Sequence, residues 1–255
     1  MNIKDGSRKV VLHYHFFKNA GTSLDKILKE NFVNKWITQE FSGNSINNRL
    51  EVKKWIESNP EAVCFSSHTA NLPPPQIEGV TIIPVLFIRH PIDRIASAYQ
   101  FERQQNSASF GSVLANNTNL AGYIKTRLSI KTDFQCRNFH THRLAEMFYD
   151  TTEEKLVKAK KAIENLPFIG LVDQFEMSLK KLEILLIGNN FVNLKFDVVQ
   201  ENVTKSGHST LSERLSYIEK AMGAQEYKIL KENNSLDMEI YKIICDKYNI
   251  NFENS

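Results

Sequence analysis

Val10-Val11-Leu12-His13-Tyr14-His15-Phe16-Phe17-Lys18-Asn19-Ala20-Gly21-Thr22-Ser23-Leu24 is the stretch on which the fold turns. Residues 9–17 are continuous, β-branched and aromatic, and they break sharply at Lys18. Such a run reads as a buried strand. Beyond the break, Leu24, Ile27, Leu28 and Phe32 fall on one apolar face of a helix. Strand, short glycine-containing loop and helix open an α/β fold. In such a loop successive backbone N–H groups turn inward and form an anion nest. The helix N-terminus adds partial positive charge, Lys18 a full charge, and Thr22 and Ser23 hydroxyl donors. The loop therefore reads as a cradle for phosphate or sulfate. An ordinary strand-to-helix turn with a surface lysine is the alternative for this loop taken alone. A Walker A loop is disfavoured, because that motif places its lysine at the helix start after a second glycine. Here Lys18 precedes the loop's single glycine, Gly21.

Outward from this unit, further strands read at Ala62–Ser67, Val80–Ile88, Phe168–Val172 and Val192–Val199. Pro84 marks a bulge or an edge position in the third strand of the chain. Residues 34–60 read as short helices, and Pro91 as the first residue of a helix ending near Gln105. Residues 106–120, rich in Asn, Ser and Ala, read as a mobile surface loop, and 121–149 as helical. Thr151 with Glu154, Asp173 with Glu176, and Thr210 with Glu213 have capping-box spacing. A polar loop spans 200–209, and the last helix covers about Leu236–Lys247. Strands alternating with helices predict a three-layer α/β fold with a central parallel sheet. No repeat or linker divides it, so residues 1–255 read as one domain. Ligands of such sheets bind beyond the strands' carboxyl ends, where Lys18, His68, Arg89 and Gln200 are all expected.

The 255 residues are 42% hydrophobic and 24% charged, which excludes a disordered or fibrous chain. A net charge of +3 gives no nucleic-acid footprint. Cys64, Cys136 and Cys245 are too few and too scattered for a disulfide framework or a zinc ribbon. They read as buried thiols in a reducing, cytoplasmic setting. Val80–Ile88 is too short to cross a membrane. The run behind Lys4, Arg8 and Lys9 carries His13 and His15, which argues against a signal peptide. Without a targeting segment, the Asn116, Asn202 and Asn233 glycosylation triplets read as chance.

A second segment, Arg89-His90-Pro91-Ile92-Asp93-Arg94-Ile95-Ala96-Ser97-Ala98-Tyr99, follows about 70 residues on. Together the two segments resemble the sulfotransferases that use 3′-phosphoadenosine 5′-phosphosulfate (PAPS) and release PAP. The first is similar to that family's 5′-phosphosulfate loop, the second to its 3′-phosphate stretch. The likeness is to the carbohydrate branch, of heparan sulfate 2-O/6-O type, and its bacterial relatives. Asn138–Leu144, Ile169–Leu179, Asn202–Leu211 and Leu236–Tyr241 extend it more weakly. The chain departs from the pattern at Ala20, where a glycine is usual, and at Asn19, where a threonine is usual.

The resemblance implies transfer of a sulfuryl group to an acceptor hydroxyl, on a carbohydrate or glycoconjugate. The cofactor contacts would come from Lys18, Asn19, Ala20, Gly21, Thr22, Ser23, Arg89, Ser97 and Lys205. Arg89 can meet a phosphate dianion with a bidentate fork, and Ser97, about two helical turns on, can add a hydroxyl. Arg94 either binds phosphate or pairs with a carboxylate. Lys205 sits in a loop that either covers the nucleotide or is a solvated turn. Lys18 can stabilise charge on the bridging oxygen. His68, beside a strand end, is the expected general base, since imidazole titrates near neutral pH. His15 and Arg143 are acceptor-side candidates: His15 either braces the loop or faces the acceptor, and Arg143 either reaches the cofactor or acceptor or makes a structural ion pair. Neither His13 and His15 nor His140 and His142 complete a metal-ligand set, so no metal is expected. A nucleotide kinase or other phosphate-loop NTPase, and a non-catalytic nucleotide-binding module, are the rival readings.

Overall fold

The computed structural model of the protein describes residues 7–43, 45–196 and 210–250. Strand β1 (Arg8–Tyr14) ends earlier than its apolar run, because the Phe16 N–H donates back to the Tyr14 carbonyl at 2.9 Å. That tight turn closes the ladder and hands His15, Phe16 and Phe17 to the loop. The helix behind it is α1 (Gly21–Phe32). Strands β2 (Trp36–Thr38), β3 (Cys64–Ser67) and β4 (Val80–Val85) join β1 in a parallel sheet of order β2-β3-β1-β4. The expected third strand is two strands. Pro84 lies on β4, an edge strand of that sheet, and the chain leaves the sheet after Val85. Strand β5 (Phe87–Ile88) then pairs in parallel with β6 (Gly170–Leu171).

Residues along β1 point alternately to the two faces of the sheet, and each face has its own core. Val10, Leu12 and Tyr14 pack with Val52 and Ile56 of α2 (Ser45–Ser58), Ala162 and Ile163 of α7 (Lys155–Asn165), and Ile240 and Ile244 of α11 (Ser235–Lys247). Val11 packs on the other face with Leu24 and Leu28 of α1 and Leu179 and Leu182 of α8 (Phe175–Gly188). Helices therefore cover both faces of the parallel sheet, as the alternating pattern requires. A third cluster joins α3 (Pro91–Gln104), α5 (Leu120–Ser129), α9 (Leu211–Met222) and α10 (Ala224–Asn233) through Ile95, Tyr123, Ile218 and Leu230.

Several local expectations are corrected. Residues 34–60 hold β2 as well as a helix. Residues 106–120 are not a loop throughout: α4 (Phe110–Asn117) lies there, and α5 begins at Leu120. Two of the Ser and Asn residues that suggested a loop are N-caps, Ser109 accepting from the Ser112 N–H and Asn119 from the Gly122 N–H. The helical reading of 121–149 breaks into α5 and α6 (Phe139–Ala145). The Thr151 hydroxyl donates to the Phe148 carbonyl instead of capping α7, whose N-cap is Glu154. Asp173 does not cap α8 either; Gln174 is its N-cap, and the Asp173 carboxylate faces the site. The Thr210–Glu213 box forms as expected. At 191–196 there is no strand. Phe191, Leu194 and Phe196 are buried, but the Asn31 side chain takes both the N–H and the carbonyl of Lys195 in place of a ladder. Residues 197–199 lie outside the described residues.

Candidate active site

Lys18 follows β1, Glu40 follows β2, His68 follows β3, Arg89 follows β5 and Asp173 follows β6. Chemistry-bearing residues thus converge at the carboxyl edge of the sheets, where the parallel direction sends every strand end the same way. Gln200 and Lys205 lie outside the described residues.

The loop after β1 is strained. Lys18 and Ala20 sit in the left-handed region at φ 61° and 58°, at a cost of roughly 1–2 kcal/mol for each L-residue. Ala20 therefore accepts the conformation that its sequence position threatened. Gly21 is required by close approach: a Cβ there would lie 2.0 Å from the His15 ring. That ring is pinned from behind. The Nδ1 atoms of His13 and His15 donate to separate oxygens of Asp25 at 2.7 and 2.8 Å. Burial alone would raise the Asp25 pKa, but the hydrogen bonds from the two histidines outweigh it and hold the carboxyl well below the usual range. These ligand-type atoms lie within 4.8 Å of one another, but as hydrogen-bonded pairs.

Lys18 has no carboxylate partner among the described residues. Its Nζ rests 4.3 Å from the centre of the Phe101 ring. Burial, with help from the nearby Arg89 charge, lowers its pKa.

Asn19 faces inward. Its Oδ1 accepts from the Arg89 backbone N–H at 2.7 Å and from His140 Nε2 at 2.9 Å, and its Nδ2 donates to the Phe17 carbonyl. One buried carboxamide thus ties the loop to the end of β5 and to α6. Truncation would leave two buried donors unpaired, so Asn19→Ala is expected to lose about 1–3 kcal/mol, measured by urea unfolding. Stability unchanged from wild type would refute that bracing role.

Arg89 is held by Asp93, its Nε 2.6 Å from Oδ2. Asp93 also accepts from Arg214 Nε at 3.1 Å, and Arg214 reaches on to Asp173 at 2.7 Å. Asp173 in turn accepts from the Tyr241 hydroxyl at 3.0 Å. Burial works against ionisation of Asp93, but Arg89 and Arg214 hold its pKa below the ordinary range. Burial and the neighbouring Asp93 charge push Asp173 upward. Arg94 has no carboxylate ion pair among the described residues. It is fully buried, donates to the Gln135 carbonyl and stacks on Phe139.

His68 Nδ1 lies 2.7 Å from Glu40 Oε1, and its ring stacks on His15 at 3.8 Å between centroids. A cleft of about 1700 Å³ is lined by His15, Lys18, Ala20, Gly21, Thr22, Ser23, His68, Arg89 and Ser97. The structure brings these candidates to one surface. Asn19 lies beneath it. Arg143 is also outside the lining, its guanidinium committed to Asn71 Oδ1 and the Ala70 carbonyl. Sequence reasoning missed Glu40, Asp173 and Arg214, and gave Asp93 no role. Only Asp93 carried a local signal, at i+4 from Arg89.

The profile of the sulfotransferase family matches residues 5–243. An uncharacterized protein of Archaeoglobus fulgidus is 42% identical over 253 residues, which cover 96% of this chain and 100% of that protein. The match spans the loop, the Arg89 segment and most of the helices that enclose the cleft, so the chain belongs to the sulfotransferase family.

Proposed function

We propose that the protein moves a sulfuryl group from PAPS to an acceptor hydroxyl on a carbohydrate or glycoconjugate, releasing PAP. The observation that carries this reading is the single cleft lined both by Lys18, Thr22 and Ser23 of the loop and helix after β1 and by Arg89 and Ser97 of the segment after β5. PAPS carries anionic groups on both the 5′ and the 3′ oxygens of its ribose, and these two clusters offer cations and hydroxyls to both. The N-terminus of α1 adds its partial positive charge and its leading backbone amides, although the Ser23 N–H is already donated to the Ala20 carbonyl at 3.1 Å. The residues therefore fit the nucleotide. Membership of the family supports sulfuryl transfer itself. The carbohydrate acceptor follows from the sequence likeness to that branch. The three free, buried thiols agree with a reducing, cytoplasmic setting.

The donor supplies an activated sulfuryl group, and transfer of this kind is in-line and governed by positioning and charge. The residues of the chain do the rest. Arg89 and Ser97 hold the 3′-phosphate, and the loop amides, Thr22 and Ser23 hold the phosphosulfate end. Lys18 meets the charge that grows on the bridging oxygen, and His68 receives the acceptor proton. His15 stands against His68 and faces the acceptor.

Thermal shift tests the donor. PAP at one hundred times its Kd should add about 2.7 kcal/mol of stability, with ATP and Mg²⁺ adding far less. A larger shift from ATP with Mg²⁺ would favour a phosphate-loop NTPase. A labelled-PAPS assay over glycans, lipids and phenols then tests the acceptor. PAP binding with no transfer to any of them would leave a non-catalytic module.

A further inference from the structure

We propose that Glu40 is a positioning residue that fixes the His68 tautomer, so that Nε2 stands ready to accept the proton of the substrate hydroxyl. The inference rests on the sulfuryl-transfer reading and deepens it.

Strand register places the pair. Thr38 of β2 is level with Ser66 of β3, and His13 of β1 is level with the same Ser66. Carried two residues on from these pairs, past the strand ends, that register sets Glu40, His68 and His15 side by side in one row. The contacts follow it. The Gln39 N–H donates to the Ser66 carbonyl and the His15 N–H to the Ser67 carbonyl. Glu40 Oε1 accepts from the His68 backbone N–H at 3.2 Å and lies 2.7 Å from His68 Nδ1. A carboxylate only accepts, so Nδ1 carries the proton. A neutral imidazole has one N–H, which leaves the Nε2 lone pair free.

Glu40 is itself anchored. Its Oε2 accepts from the Thr69 hydroxyl at 2.8 Å and from the Ser67 hydroxyl at 3.3 Å. Burial opposes its ionisation, but the bonds from His68 and Thr69 outweigh that and lower its pKa. On the other side of His68 lies the His15 ring, stacked at 3.8 Å and locked by Asp25. The imidazole is thus fixed along its edge by Glu40 and across its face by His15, while its side chain is still more than half exposed to the cleft.

The step balances. The acceptor oxygen uses a lone pair to form the new O–S bond, and its proton passes to His68 Nε2. The S–O bond to the donor's 5′-phosphate breaks, leaving its electron pair on the phosphate oxygen of PAP. The imidazolium keeps its Nδ1–H on Glu40 and then releases the Nε2 proton to solvent.

The test compares Glu40→Ala with Glu40→Gln. Alanine removes the acceptor that holds the Nδ1 proton, so both tautomers coexist and part of the base is blocked. Glutamine can keep its carbonyl oxygen toward Nδ1 and the His68 backbone N–H and turn its amide toward the Ser67 and Thr69 hydroxyls, which retains the Nδ1–H tautomer. Glu40→Ala should lower kcat by about 10²-fold, and Glu40→Gln should fall less far. With the ring neutral, the His68 ¹⁵N signals should show a protonated Nδ1 in wild type and in Glu40→Gln, and a mixture of tautomers in Glu40→Ala. The PAP thermal shift should be the same in all three proteins. A protonated Nε2 in wild type, an undiminished Nδ1–H tautomer in Glu40→Ala, or an alanine variant no slower than the glutamine variant would overturn the proposal. The ¹⁵N measurement needs no turnover. Absence of transfer by wild type would therefore count against sulfuryl transfer, and the wrong tautomer against the Glu40 role.

Discussion

Lys18→Ala is expected to fold normally and to lower kcat by about 10²–10³-fold, with PAP affinity changed far less. The Lys18 ammonium has no ion pair to lose among the described residues, so truncation strands no buried charge. What disappears is its contact with Phe101, worth about 0.5–1 kcal/mol at an exposed site. Alanine also tolerates the left-handed backbone at this position no worse than lysine does. On the proposed transfer, the charge that Lys18 would meet develops only as the bond to sulfur breaks, so the loss should fall on kcat and kcat/KM together. Steady-state kinetics with a fixed acceptor checks this. Wild-type kcat in the variant would remove Lys18 from the chemistry.

Asp93→Ala should be the most destabilising substitution at the site, at about 3–5 kcal/mol by chemical denaturation. Asp93 is nearly fully buried and receives one guanidinium at 2.6 Å and another at 3.1 Å. Arg214 keeps Asp173 as a partner, but Arg89 loses its carboxylate and stays mostly buried. A bound phosphate dianion would replace part of the missing negative charge. PAP should therefore stabilise Asp93→Ala by more than it stabilises wild type. Equal or smaller stabilisation would mean that the nucleotide does not reach Arg89.

The legible parts of this molecule are the ones written in contiguous residues. The β1 run, the Lys18 loop and the Arg89–Ser97 segment each state their chemistry within about a dozen positions, and the structure gathers them at one cleft. The unreadable parts depend on distance or on brevity. Asp93 meets Arg214 across 121 residues, and Asn19 meets His140 across the same separation. No periodicity reports such pairs. Glu40 hid because β2 is three residues long and shows no alternation to read. Serine and asparagine misled at 106–120, since the side-chain oxygens that favour turns also cap helices. Leu194 and Phe196 misled in the opposite sense, because apolar spacing records burial and is blind to which group satisfies the backbone.

The Asn19 carboxamide has a consequence for ligand discrimination. By fastening the loop to the peptide nitrogen of Arg89, it sets the span between the two proposed anion sites like a caliper locked before measurement. If the proposed donor binds there, a nucleotide missing its 3′ or its 5′ anion could not draw the jaws inward to compensate. It forfeits one jaw's contacts outright, and length itself becomes a criterion for admission.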